Sequence, residues 1–195
     1  MSNTTKFLKS YRFLQVVTGV MYFFMAILAL KYTSNTLVES IQIFGAFSVV
    51  KGIFEIVNRA NIKKRTNHNQ YSSFALGIVD IVIGIIMIVN TSLDLTALAM
   101  LFGIWFIGDA VISFFMLDLA KKISEIYYYV SLIIYLIGGV IGLVLLIAGD
   151  TTVASVPTLI SIYFLLFGFV KLVGGMLNRR DIHVTNQTHN LKKRL

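Results

Sequence analysis

One pattern of spacing occurs three times in this chain, and it lies within sequence that is almost wholly apolar. A glycine precedes a charged residue by 32 positions in each copy, and the three pairs are Gly19 with Lys51, Gly77 with Asp109, and Gly139 with Lys171. Each copy contains two apolar stretches joined by a short polar link, as expected of a helical hairpin. Regular self-similarity of this kind indicates a repeated structural unit. The pattern predicts three tandem two-helix repeats at about 13–57, 71–117 and 126–177.

The composition places these repeats in a membrane. Of the 195 residues, 57% are hydrophobic and only 13% are charged, and the mean hydropathy is +0.82. As helices at about 1.5 Å per residue, the uncharged runs 13–30 and 126–149 would be roughly 27 and 36 Å long, close to the thickness of bilayer hydrocarbon. We therefore predict an all-α integral membrane domain at 13–177 with six transmembrane helices, arranged as three parallel hairpin repeats. The spans are expected at about 13–31, 38–57, 71–90, 95–117, 126–148 and 153–177.

Lysine and arginine fall almost entirely on one side of this arrangement. The first twelve residues hold three, the 58–70 loop four, the 118–125 loop two and the polar tail 178–195 five, whereas the opposite side holds only Lys31. The positive-inside rule therefore predicts that both termini are cytoplasmic. The net charge of +8 is then explained by basic loops that face anionic lipid headgroups, so the expected partner is the bilayer rather than nucleic acid.

Five charged residues lie well inside the predicted spans, away from the first two and last two positions of each: Lys51, Glu55, Asp80, Asp109 and Lys171. The residues other than Glu55 would lie roughly 9 to 14 Å from the basic side at about 1.5 Å per residue, in one layer. Ionised groups inside a bilayer usually pair within the bundle, so one interpretation is a buried charged cluster. In a second interpretation, the ammonium groups of both lysines extend to the membrane surface, and Lys51 pairs with Glu55 on the same helix. A third is a substrate or proton pathway, and the sequence leaves all three open.

Glycine is concentrated in the predicted spans, which hold 13 of the 14 glycines. Gly138 and Gly142 form a small-xxx-small motif, and Gly77 and Gly84 are seven residues apart on one helix face. Small residues allow helices to approach closely where lipid provides no hydrophobic gain. We predict that these four glycines serve helix packing.

Residues typical of an enzyme are missing from the sequence. The chain has no cysteine, which excludes disulfides and thiolate chemistry. The P-loop, HExxH, GxSxG and dinucleotide-binding patterns do not occur. The histidines, His68, His183 and His189, are scattered over a loop and the tail, where solvation is expected more than pH sensing. We therefore predict no catalytic residue, no cofactor and no metal site.

The second repeat resembles a known family. Residues 77–85 (GIVDIVIGI) followed by 102–110 (FGIWFIGDA) are similar to the repeat of the HdeD-like acid-resistance membrane proteins, and the resemblance extends through all three repeats. It implies a non-enzymatic, multi-pass protein of the bacterial inner membrane that acts in acid or general stress tolerance. The alternative is a small-solute or ion transporter that uses the charged layer. Neither interpretation excludes a homo-oligomer.

Overall fold

The computed structural model describes residues 3–31, 37–38, 40–66, 71–90, 93–117, 120–121, 124–147 and 155–177, with side chains from residue 13 onward and, in the second helix, up to residue 57. This described part of the chain contains six helices and no strand. The all-α prediction and the number of helices are therefore confirmed. Numbered α1 to α6 in chain order, the helices are Asn3–Lys31, Ile41–Thr66, Tyr71–Val89, Leu95–Phe114, Glu125–Ile147 and Val156–Leu177.

Five of these helices are long and apolar enough to cross a membrane: α1 from residue 13, α3, α4, α5 and α6. The remaining helix, α2, carries Lys51 and Glu55 in its apolar part and packs lengthwise against α3. The five apolar helices identify a multi-pass membrane protein, and the packing of α2 places it inside the same bundle.

Two helices extend beyond the predicted spans on the basic side. Helix α1 begins at Asn3 rather than near residue 13, and α2 continues to Thr66 rather than ending near residue 57. Hydropathy locates the end of the hydrocarbon, but a helix need not end there, because lysine and arginine are good helix formers. The basic segment 58–66 is consequently helical. The three histidines, the tail 178–195 and most of the short links lie outside the described residues.

Local signals account for two helix starts. The Asp94 carboxylate accepts a hydrogen bond at 2.9 Å from the main-chain N–H of Ala97, which caps the first turn of α4. Pro157 stands in the first turn of α6, where its missing N–H group has no intrahelical partner to lose.

The closest helix pairs join different repeats rather than the two helices of one repeat. Helix α2 packs along α3, α4 along α5, and α6 returns to pack along α1. Glycine makes these contacts possible. A Cβ atom on Gly77 would lie 2.7 Å from the carbonyl oxygen of Gly52, and one on Gly84 would lie 2.6 Å from that of Gly45. Because α6 contacts α1, the three repeats close into a ring.

The glycines that define the sequence repeat face equivalent positions in this ring. The residues that they face each follow the charged residue of a repeat directly in sequence. The facing pairs are Gly19 with Leu172, Gly77 with Gly52, and Gly139 with Ala110. The sequence repeat is therefore also an approximate threefold symmetry of the bundle.

Aromatic side chains from α2, α4 and α6 fill the centre of the ring. Phe44, Phe102 and Phe164 occupy equivalent positions, and the distances between their ring centroids are 5.4, 6.0 and 6.4 Å. Three equivalent residues can all touch one another only around the symmetry axis. This aromatic layer closes the axis at its level.

Candidate functional site

The charged residues of the spans surround the same axis, displaced along it from the aromatic layer. Lys51, Asp109 and Lys171 each follow a residue of that layer by seven positions, about 10 Å along a helix. Together with Glu55 and Asp80 they form what we call the charged cluster. All its members are buried, with exposed fractions of 0% for Lys51, 4% for Glu55, 0% for Asp80, 1% for Asp109 and 8% for Lys171.

Lys51 is the central cation of the cluster. Its Nζ atom donates to both carboxylate oxygens of Asp80 at 2.7 Å, and to Oδ2 of Asp109 at 3.2 Å. The same atom lies 5.8 Å from the ring centre of Tyr22 and 5.7 Å from that of Trp105, within the range of cation–π attraction. Because Lys51, Asp80 and Asp109 belong to α2, α3 and α4, one ammonium group joins three helices.

Neutral donors complete the coordination of the two aspartates. The indole Nε1 of Trp105 donates to Oδ1 of Asp80 at 2.7 Å. The hydroxyl groups of Tyr22 and Tyr163 donate to Oδ2 of Asp109 at 3.1 and 2.8 Å. These groups replace the water that a carboxylate would otherwise need, and hydrogen bonds to ionised groups are stronger than those between neutral groups.

Glu55 and Lys171 form a second ion pair beside the first. The Lys171 Nζ atom donates to Oε1 of Glu55 at 2.7 Å. The hydroxyl group of Ser73 lies 3.2 Å from Oε2 of the same carboxylate. Glu55 therefore pairs with a lysine from α6 rather than with Lys51 on its own helix. Both lysines point into the bundle, which is the arrangement expected of a buried cluster and not of surface-reaching lysines.

The formal charges of the cluster do not balance. Two ammonium groups face three carboxylates, so the fully ionised cluster carries one net negative charge. One added proton would make it neutral. Within the described residues, no three or more histidine, cysteine, aspartate or glutamate side chains are grouped so that they could hold a metal ion.

Sequence reasoning did not identify the neutral donors, although the sequence contains a signal for two of them. Tyr22 stands one repeat interval before Asp80, so it occupies the equivalent position on α1. Tyr163 precedes Lys171 by eight residues and therefore lies on the same face of α6. Trp105 precedes Asp109 by four residues but donates to Asp80, and no pattern in the sequence indicates that contact.

The four glycines assigned to packing all lie at helix contacts, but they do not share one interface. Gly77 and Gly84 contact α2. A Cβ on Gly142 would lie 2.9 Å from the Gly103 carbonyl oxygen on α4, whereas one on Gly138 would lie 2.5 Å from the ring of Phe167 on α6. The small-xxx-small motif on α5 thus serves two different neighbours.

Comparison with known proteins identifies one family. A family model described as a short repeat of unknown function, DUF308, matches residues 17–89, 75–144 and 140–187. The three matches begin within about two residues of Gly19, Gly77 and Gly139, and together they extend through all six helices. No curated protein and no solved structure matches the chain significantly.

Proposed function

This chain belongs to the DUF308 short-repeat family, and from that premise we propose that it is a non-enzymatic protein of the bacterial inner membrane that supports tolerance of acid or general stress. The family description assigns no activity. The proposal is therefore supported by the site, and by the resemblance of the second repeat to the HdeD-like proteins.

The observation that carries the proposal is the unbalanced charge of the buried cluster. A net charge inside a bilayer protein is costly, because neither lipid nor the protein interior solvates it as water does. Uptake of one proton by Asp80 or Asp109 would remove that charge. Acidification on the side from which the cluster exchanges protons then changes the charge state of the bundle core directly.

The pairing of the cluster supports a responsive role rather than catalytic turnover. Lys51 contacts Asp80 and Asp109, while Lys171 contacts Glu55, so each charged group is directed at another member of the cluster. A catalytic group needs to face a substrate instead. A change of protonation would alter these contacts, and with them the packing of α2 against α3 and α4.

A deletion strain complemented from a plasmid tests this function. We expect normal growth at neutral pH, reduced survival after acid challenge, and restoration by the wild-type gene. The combined Asp80→Asn and Asp109→Asn variant should restore survival poorly, since neither amide can take up the proton. Glu125→Gln is the matched control, because Glu125 is an exposed carboxylate in the first turn of α5. Immunoblots of membrane fractions establish that all variants accumulate equally.

Transport of a small solute or ion is the second candidate. Charged side chains within membrane helices often line substrate pathways, and the cluster has this composition. Closure of the axis by Phe44, Phe102 and Phe164 opposes it in the present conformation. Transport predicts saturable uptake into proteoliposomes and a solute-dependent growth defect at neutral pH. Such uptake, combined with unimpaired acid survival of the deletion strain, would replace the stress proposal.

A further inference from the structure

An apolar groove lies on the outer surface of the bundle between α4 and α5. Its volume is about 410 Å³. Much of its lining is about half exposed, including Val111, Phe114, Leu136, Val140 and Leu143. Since α4 and α5 are both apolar enough to cross a membrane, the groove opens sideways toward lipid and not toward water.

The groove exists because these two helices diverge where the equivalent helix pairs stay in contact. A Cβ on Gly139 would lie 3.8 Å from the Cβ of Ala110 and near no other atom. At the equivalent position of the α2–α3 pair, a Cβ on Gly77 would lie 2.7 Å from the Gly52 carbonyl oxygen. The symmetry of the ring therefore fails here, and the failure leaves a space the size of a small-molecule site.

We propose that this α4–α5 groove binds one acyl chain of an anionic phospholipid. Acyl chains are the molecules that surround this face, and the groove offers them a concave apolar wall in place of a flat one. The proposal goes beyond the stress function and does not depend on it, because the groove is formed by residues outside the charged cluster.

The position of Lys121 selects an anionic headgroup. This exposed lysine follows Phe114, at the basic end of the groove, by seven residues. Ile107, which lines the other end, precedes Phe114 by seven residues, about 10 Å along α4. That length lies within one leaflet of a bilayer whose hydrocarbon is roughly 30 Å thick. A lipid whose phosphate lies near Lys121 could therefore extend a chain along the whole groove.

Native mass spectrometry of the delipidated protein, titrated with phosphatidylglycerol, tests the site. Val140→Trp fills the groove from its rim, and Gly139→Leu fills it from its floor. Val82→Trp is the matched control, because Val82 is an exposed valine on α3. We expect wild type and Val82→Trp to bind one phosphatidylglycerol equally, and both groove variants to bind it at least about tenfold more weakly. Lys121→Gln should weaken binding of phosphatidylglycerol more than that of phosphatidylcholine.

Cross-linking locates the lipid without any substitution in the groove. Phosphatidylglycerol with a diazirine in its acyl chain should label peptides of α4 and α5 in the wild-type protein. Labels spread evenly over all six helices, with unchanged affinity of Val140→Trp, would show only a general lipid shell and overturn the proposal. A dimer that Val140→Trp abolishes, without dependence on phosphatidylglycerol, would overturn it in favour of a second copy of the chain.

Discussion

Asp109 shows how one substitution within a repeat turns repulsion into attraction. The equivalent positions of the three repeats hold Lys51, Asp109 and Lys171, around one axis. Three lysines there would repel one another in a medium with little screening. The aspartate instead accepts from Lys51 at 3.2 Å, and it also receives hydrogen bonds from Tyr22 and Tyr163. The symmetry of the fold is thus broken chemically where the charges meet.

Replacing Asp80 should destabilise the protein more than replacing Asp109. Asp80→Ala removes both 2.7 Å contacts of Lys51 and the acceptor for Trp105. Asp109→Ala removes only one ion-pair contact of Lys51, at 3.2 Å, together with the acceptor for the neutral hydroxyl groups of Tyr22 and Tyr163. Loss of one partner from a buried ion pair costs on the order of 3 kcal/mol. Thermal unfolding in detergent, followed by circular dichroism, should therefore give the order wild type, Asp109→Ala, Asp80→Ala, from most to least stable.

A double-mutant cycle with Lys51→Met isolates the pairing. The loss caused by Asp80→Ala should be partly recovered in the double variant, because the ammonium group that has lost its two shortest contacts is then no longer buried. The same holds, to a smaller extent, for Asp109→Ala. Glu125→Gln, at an exposed site, should leave the thermal midpoint unchanged. Strictly additive losses would contradict the pairing seen in the structure.

The sequence predicted the layer of charges but could not predict its partners. Depth along a helix follows from counting residues, so the common level of Lys51, Asp80 and Asp109 was predictable. Whether Asp109 meets Lys51 or Lys171 depends on how each helix is rotated about its own axis. That rotation is set by contacts such as Tyr163 with Asp109, which no pattern in one sequence records.

At the scale of helices, the short polar links suggest the wrong neighbours. The link between α3 and α4 makes them appear to be the main contact, yet α3 packs more extensively on α2 and α4 on α5. The reason is the pairing of glycines across repeats. Gly45 and Gly52 on α2 are seven residues apart, as are Gly77 and Gly84 on α3. The two antiparallel helices can therefore contact each other at two glycine pairs, Gly45 with Gly84 and Gly52 with Gly77.

The α2–α3 contact should tolerate even one added methyl group poorly. In Gly52→Ala the new Cβ would lie 2.6 Å from the Gly77 carbonyl oxygen, and backbone cannot rotate away as a side chain can. Separation of the helices should cost about 1–3 kcal/mol, typical of overpacking. Thermal unfolding in detergent measures the loss.

Gly108→Ala is the matched control for this contact, because its Cβ would meet only Val79, at 3.7 Å. Alanine is the better helix former, so this variant should be as stable as wild type or slightly more stable. Equal destabilisation of the two variants would mean that the close approach of α2 and α3 does not matter to stability.

Across the whole molecule, the positions of the helices follow an approximate threefold symmetry, which we call the threefold frame. The side chains at the centre of the ring, in contrast, differ from one repeat to the next. Tyr22 and Asp80 occupy equivalent positions on α1 and α3, and both reach the charged cluster, whereas α5 has Gly142 there. The threefold frame was predictable from spacing alone, since the apolar stretches and the register of three glycines recur in all three repeats. The unequal centre was not, because it depends on which single side chains each repeat contributes.

The threefold frame makes a prediction about topology that does not depend on the cluster. Repeats related by an axis along the membrane normal are parallel, so the three short links must emerge on one side of the membrane. The chain lacks cysteine, and single cysteines at Ser34, Ser92 and Thr151 should therefore all react with a membrane-impermeant thiol reagent in intact cells. Cysteines at Asn69 and Asn190 should react only after permeabilisation, since basic segments remain in the cytoplasm. Labelling of all five in the reverse sense would contradict the orientation alone, whereas disagreement among Ser34, Ser92 and Thr151 would contradict the parallel repeats.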